Sequence, residues 1–189
     1  MKPHTIIVPL ANGVEEIEAV AIIDILRRAG LEVIAASVDD ESLDIEGAHG
    51  IGLVADATLA ELDASAADAI VLPGGMTAAI TLKADERVRN IAREFFFSGK
   101  LVAAICAAPI VLAAAGILDG RKATSYPTEL DKLAGAICQK GKHVVVDGNL
   151  ITGAGPAAAV EFALKIAETL AGADVAASLA QRLLANYTH

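Results

Sequence analysis

Short apolar runs alternate with amphipathic stretches along most of the chain. Buried strands are predicted for four of the apolar runs, Ile6 to Leu10, Leu31 to Val38, Asp68 to Leu72 and Lys100 to Ile105. Helices are predicted over Glu15 to Arg28, Arg87 to Ser98, Ala107 to Ile117, Ala157 to Leu170 and Val175 to Leu184. This alternation predicts an α/β fold with a mostly parallel sheet and helices on both faces.

Two further segments add to this prediction. His143 to Asp147 and Leu150 to Thr152 flank a Gly-Asn turn, which predicts a β-hairpin. Leu101 to Leu118 carries no charge and reaches the length of a membrane span, but it contains Pro109 and many small residues. We therefore expect a buried strand followed by a buried helix there, and no association with a membrane.

Composition and charge narrow the class of protein. A chain of 189 residues without repeats or linker-like segments predicts a single domain over residues 1–189. Its net charge of -9 disfavours a nucleic-acid surface, which needs clustered cations, and favours a small-molecule substrate. The two cysteines, Cys106 and Cys138, form neither a CxxC pair nor a zinc pattern, so we expect no metal and a reducing, cytoplasmic location.

Cys106 is the first candidate for chemistry. It directly follows a predicted strand and opens a predicted helix, which is the position of the nucleophile in a strand–turn–helix elbow. A helix N-terminus stabilises a thiolate, so we expect the pKa of this thiol to be lowered. The alternative is that Cys106 is a small buried hydrophobe in an alanine-rich segment.

Glu18 is the second candidate, because it heads the apolar stripe of the first predicted helix. Burial would raise the pKa of its carboxyl and suit it to proton transfer near neutral pH. In the alternative, the first turn frays and Glu18 lies in solvent. Glu15 and Glu16 lie off the stripe and are interpreted as favourable first-turn acids that complement the helix dipole.

Several loops follow predicted strands and should meet at one edge of the sheet, where α/β proteins bind ligands. They are Ala11 to Val14, Pro73 to Met76, Ser125 to Pro127 and Gly153 to Pro156, together with Cys106 itself. In the Pro-Gly-Gly turn, the backbone at Gly74 and Gly75, together with the amide of Ala107, could hold an oxyanion. A plain turn is the alternative for these glycines.

Four segments resemble motifs of the ThiJ/PfpI superfamily, in the same order. They are LANGVEEIEAV from Leu10, VLPGG from Val71, AAICAAP from Ala103 and TGAGPAAAVEFAL from Thr152. The resemblance covers nearly the whole chain and is strongest to the branch of the parkinsonism-associated protein deglycase and its bacterial relatives.

The resemblance implies a flavodoxin-like three-layer sandwich, a homodimer and no cofactor. It assigns Cys106 as the reactive cysteine, Glu18 as its protonated partner, and Gly75 and Ala107 as the amide pocket. Gly155 and Pro156 would line the pocket or an interface. The chain departs from many relatives at Tyr126, where they carry a histidine near the cysteine.

His49 is a further candidate for the pocket or an interface. It falls where relatives place an Arg or His that approaches the partner subunit's site, and the alternative is a solvent-exposed loop histidine. The residue after Cys106 is alanine rather than the histidine of the peptidase branch, which disfavours proteolysis.

These observations predict a cysteine-dependent enzyme acting on reactive 2-oxoaldehydes or their glycated adducts, of the glyoxalase III or deglycase type. Cys106 would be the nucleophile and Glu18 the proton shuttle. One alternative is a redox-sensing or chaperone-like protein of oxidative stress that acts through oxidation of Cys106. Another is a different small-molecule lyase or hydratase on the same scaffold.

Overall fold

A seven-stranded sheet forms the centre of the fold in the computed structural model, which describes residues 3 to 187. The strands are β1 (Thr5–Leu10), β2 (Glu32–Ser37), β3 (Asp44–Glu46), β4 (Gly52–Val54), β5 (Ala57–Thr58), β6 (Ala69–Leu72), β7 (Leu101–Ile105), β8 (Lys122–Ala123), β9 (Ile137–Cys138), β10 (Val144–Asp147) and β11 (Leu150–Gly153). Their order in the main sheet is β10-β11-β7-β6-β1-β2-β5, and β3–β4 and β8–β9 form two small separate sheets. Every neighbouring pair in the main sheet is parallel except β10–β11.

Helices cover both faces of this sheet. They are α1 (Glu16–Arg28), α2 (Met76–Ala84), α3 (Glu86–Phe97), α4 (Pro109–Ala114), α5 (Ala159–Ala171) and α6 (Ala173–Arg182). The first, fifth and sixth helices pack together, as do the second, third and fourth. Covered on both sides, β1, β6 and β7 are buried along their whole length, which explains their continuous aliphatic sequences. The predicted fold class is confirmed.

The structure differs from the prediction in the helices that follow β6 and β7. Helix α2, which begins at Met76, was not predicted, because the Pro-Gly-Gly sequence directly before it indicates a turn. Helix α4 begins at Pro109 rather than at Ala107, since residues 106 to 108 form a turn first. Cys106 therefore does not lie in the first turn of a helix.

The hairpin around the Gly-Asn turn is present as β10–β11, with Asp147 opposite Leu150. A second hairpin, β3–β4, was not predicted and presents the loop of residues 47–51. The uncharged run that begins at Leu101 contains the buried strand β7 and the short, largely buried helix α4. Within residues 3–187, no helix combines the length and apolar character that crossing a membrane requires.

The strand order places the switch point of the sheet between β1 and β6. The chain moves from β1 outward to β2 and later returns to the other side of β1 as β6. At such a point the loops after neighbouring strands diverge and leave a crevice at the carboxyl edge. The loops after β1, β6 and β7 therefore meet there, and they carry the candidate residues.

Candidate active site

Cys106 lies at the carboxyl end of β7 in a strained backbone conformation. Its φ of 62° is in the left-handed region, which residues other than glycine seldom adopt. The backbone is held by three hydrogen bonds: Cys106 donates to the Gly153 carbonyl at 2.9 Å, and its own carbonyl accepts from the Tyr126 amide at 2.8 Å and the Ser125 hydroxyl at 2.6 Å. These bonds hold the backbone that carries the thiol in place. Only 8 % of the residue is exposed.

Glu18 is completely buried in the first turn of α1, with 0 % of its surface exposed. Its Oε2 accepts the Gly74 backbone N–H at 2.8 Å. Its Oε1 accepts no hydrogen bond from the other described residues, and the carboxyl interacts with the thiol of Cys106. The structure therefore brings together the two residues that the sequence singled out.

The turn after β6 requires glycine at both Gly74 and Gly75. A Cβ at Gly74 would lie 2.4 Å from Glu18 Oε2 and 2.6 Å from Cys106 Cβ. Gly75 has a φ of 90°, and a Cβ there would lie 2.2 Å from the Gly13 carbonyl oxygen. The backbone consequently approaches the acid and the thiol more closely than any side-chain-bearing residue allows.

Burial raises the pKa of both partners. The pKa of Glu18 rises from its ordinary value of 4.5 to about 7, chiefly because the carboxyl is removed from water. The pKa of the Cys106 thiol rises to about 12, through burial first and then the charge and hydrogen bond of Glu18. The expected lowering of the thiol pKa by a helix N-terminus is wrong, because α4 begins three residues later and desolvation dominates.

These two values describe a pair that shares protons. Together the groups release one proton near pH 7 and keep the other until far higher pH. The backbone amides of Gly75 and Ala107 hydrogen-bond the sulfur and favour its charged form. The two amides of the predicted pair therefore both lie against the thiol.

His49 lies on the loop between β3 and β4 and is anchored by Glu16. Its Nδ1 is 2.8 Å from Glu16 Oε2, and its backbone N–H donates to Glu16 Oε1 at 2.6 Å. Glu16 is buried, and its bonds to His49 lower its pKa to about 2 while raising the pKa of the imidazole. Glu15 and Glu16, which were predicted to complement the dipole of the first helix, are the N-cap and the first residue of α1, and both are buried. The imidazole itself is 70 % exposed.

Glu15, Glu16 and His49 also place one ligand atom each within 4.8 Å of one another, the spacing of a metal-ligand set. The His49 Nδ1 that would face a metal is already paired with Glu16. Hydrogen bonding and charge within the group therefore account for its arrangement.

Tyr126 and Gly155 lie next to each other, close to the backbone of Cys106. A Cβ on Gly155 would be 3.4 Å from the Tyr126 ring. Tyr126 as a whole residue is 44 % exposed. Pro156 starts the short 3-10 turn that leads into α5. Cys138 is exposed at the end of β9, outside this cluster, and both cysteines are free thiols.

A surface cavity of about 360 Å³ opens beside the turn that follows β1. It is lined by Asn12, Gly13, Glu46, Gly47, Ala48, Met76 and Thr77. Gly13 lines the cavity and lies against Gly75, so the cavity is next to the glycine turn that follows β6. Its volume suits a small molecule rather than a folded protein.

Comparison with known proteins identifies the family. The sequence profile of the DJ-1/PfpI family matches residues 4–169, which is most of the chain. The chain belongs to the DJ-1/PfpI family. The resemblance found from the four motifs is thereby confirmed.

Several relatives show the extent of the similarity. Protein dj-1beta of Drosophila melanogaster is 40% identical over 182 residues, covering 96% of this chain and 97% of that protein. The crystal structure of Drosophila DJ-1beta superposes with a TM-score of 0.94 at 38% identity, covering 98% of this chain and 100% of the other. A deglycase of Pyrococcus horikoshii is 38% identical over 148 residues, covering 78% of this chain and 87% of its own.

Protein DJ-1 homolog A of Arabidopsis thaliana is 40% identical over 183 residues, which is 95% of this chain and 46% of that protein. The chain spans less than half the length of the two Arabidopsis relatives it matches.

The glycine at position 74 gives a prediction of stability. Gly74→Ala should lower the free energy of unfolding by about 1–3 kcal/mol, because the added methyl group overlaps Glu18 and Cys106. Urea denaturation followed by circular dichroism measures this loss. Gly52→Ala is the matched control, since a Cβ there meets nothing within 4 Å, and it should stay within about 0.5 kcal/mol of wild type. Equal stabilities for the two variants would contradict the close approach.

The buried carboxyl gives a prediction of pH dependence. The pKa of Glu18 is higher in the folded state than its ordinary 4.5, so the folded state binds more protons between pH 4.5 and about 7. The stabilisation from protonated Glu18 is complete below that window and is lost as pH rises through it, by about 3 kcal/mol in total. Urea titrations at several pH values should show wild type losing this amount relative to Glu18→Gln. Parallel curves for the two proteins would contradict a buried, neutral carboxyl.

Proposed function

We propose that this protein is a cysteine-dependent enzyme acting on reactive 2-oxoaldehydes or their adducts, of the glyoxalase III or deglycase type. The observation that carries the proposal is the pairing of a buried carboxyl, with a pKa of about 7, and a thiol at the edge of the sheet. A group with this pKa is both acid and base near neutral pH, which is what an isomerisation between adjacent carbons requires. The deglycase among the relatives gives further support.

In the first step the sulfur of Cys106 bonds to the aldehyde carbon, and the proton of the thiol passes through Glu18 to the aldehyde oxygen. The product is a hemithioacetal. In this proposal the amides of Gly75 and Ala107, which bond the sulfur of the free protein, would stabilise the negative charge that develops on the substrate oxygen.

In the second step the Glu18 carboxylate removes the hydrogen from the carbon bonded to sulfur, and the electron pair moves onto the neighbouring keto oxygen. Glu18 returns that proton to the neighbouring carbon, while the hydroxyl proton of the first carbon moves to the second oxygen. The result is a 2-hydroxy thioester. Water then cleaves the carbon–sulfur bond, which releases a 2-hydroxy acid and restores the thiol.

This chemistry needs Cys106 as a free thiol. We therefore propose a reducing compartment such as the cytoplasm as the place of action.

Methylglyoxal supplied without glutathione tests the proposal. Wild-type protein should form lactate, and Cys106→Ala and Glu18→Gln should each reduce the rate by at least about 100-fold, because each removes a group that the chemistry requires. Cys138→Ala is the matched control and should retain the wild-type rate, since Cys138 lies outside the site. Lactate is measured enzymatically, with circular dichroism to show that each variant is folded.

Two outcomes would overturn the proposal. One is full activity in Glu18→Gln. The other is no lactate from wild type, combined with rapid addition of two oxygen atoms to Cys106 in dilute peroxide, which would favour redox sensing.

We also propose that the chain forms a homodimer through α1 and the β3–β4 hairpin. This surface carries large apolar side chains in contact with water, namely Ile17, Val20, Ile51 and Val54. A groove of about 250 Å³ between the two elements is lined by apolar residues, among them Val20, Ile23 and Leu53, and by the charged Asp24, Arg27 and Asp56. An exposed apolar face of this kind is typical of a self-association surface.

Sedimentation analysis tests the dimer. Wild type should have twice the chain mass of 19.3 kDa, and Ile17→Glu should shift it toward the monomer, because a charge would then be buried at the interface. Phe97→Glu is the matched control, as Phe97 is equally exposed on α3, away from this surface. A monomeric wild type, or equal dissociation by both variants, would contradict the proposed surface.

A further inference from the structure

Glu15 forms the N-cap of α1 and is bonded directly to the main chain of the candidate acid. Its Oε2 accepts the backbone N–H of Glu18 at 3.0 Å. Only 10 % of its side chain is exposed, so this carboxylate is held close to the protein rather than in bulk water. Glutamate is not among the residues that helices favour at this position, where shorter acids and hydroxyl side chains prevail.

The backbone of Glu15 is tied to the glycine turn as well. Its N–H donates to the Gly74 carbonyl at 3.1 Å, and a Cβ on Gly75 would lie 2.6 Å from the same nitrogen. Gly74 in turn donates its own N–H to the Glu18 carboxyl. Glu15 and Glu18 are therefore joined by a closed circuit of hydrogen bonds through Gly74, and movement of one displaces the others.

We propose that Glu15 is a positioning residue for the Glu18–Cys106 pair: it fixes the first turn of α1 and holds a negative charge next to the carboxyl of Glu18. This inference deepens the proposed function and rests on it, since it assigns Glu15 the task of keeping Glu18 ready to donate a proton. A negative charge nearby disfavours ionisation of a second carboxyl. In agreement, the charge of Glu15 contributes to the raised pKa of Glu18.

The other charged groups around α1 have partners other than the Glu18 carboxyl. Among the described residues, Cys106, the Gly74 amide and Glu15 are the groups that act on the Glu18 carboxyl. Glu16 is bonded to His49, whose Nδ1 also lies at ion-pair distance from Glu15, 4.0 Å from its Oε1. On the elements packed against α1, Lys165 pairs with Glu168, Glu161 lies near His143, and Glu32 accepts from Thr5.

The protonation of Glu18 can be followed by its carboxyl infrared band, which is identified by its absence from Glu18→Gln. In the full-length Glu15→Gln variant the charge is lost but an acceptor for the Glu18 N–H remains. We expect the midpoint of the Glu18 titration to fall by about 0.5 to 1 pH unit relative to wild type. Glu15→Asp keeps both the charge and a good cap, so its midpoint should stay at the wild-type value.

Glu94→Gln is a matched control, because it removes the same charge from an exposed position on α3 and should leave the midpoint unchanged. A Glu15→Gln midpoint equal to wild type would overturn the inference, and so would an equal fall in Glu94→Gln. This measurement needs no turnover. If wild type forms no lactate but the midpoint still falls in Glu15→Gln, the proposed substrate class is wrong while the positioning role of Glu15 stands.

Discussion

The removal of the Glu18 carboxyl from water is the constraint on which the site depends. A buried carboxyl costs free energy unless it is neutral or well bonded. The structure meets that requirement with the Gly74 amide on one side and the Cys106 thiol on the other. Glycine in the turn after β6 follows directly, because only a backbone without a Cβ approaches both groups so closely.

The sheet supplies the rigidity that this arrangement needs. Cys106 keeps a left-handed backbone conformation because hydrogen bonds from two other segments, at Gly153 and at Ser125 and Tyr126, hold it. Those segments belong to β11 and to the chain that follows β8. Hydrogen bonds from several elements therefore offset the cost of the strained backbone at one residue.

Much of the fold could be predicted from the sequence, because buried parallel strands and amphipathic helices leave strong periodic patterns. The four motifs also identified the family and the Glu18–Cys106 pair. Helix α2 and the β3–β4 hairpin could not be predicted, since their patterns are short and they are stabilised by tertiary packing. The burial of Glu15 and Glu16, and the direction of the Cys106 pKa shift, depend on distances between loops that are far apart in sequence.

The shared proton has a consequence for the net charge of the site. Between about pH 7 and far higher pH the pair carries one negative charge, whichever of the two atoms holds the proton. When the proton moves from the Cys106 sulfur to the Glu18 carboxyl, the negative charge moves from the carboxyl to the sulfur. The total charge of the pair does not change. Because the amount of charge stays the same, the fixed amides and the aliphatic side chains around the pair have little reorganisation to undergo when the proton moves.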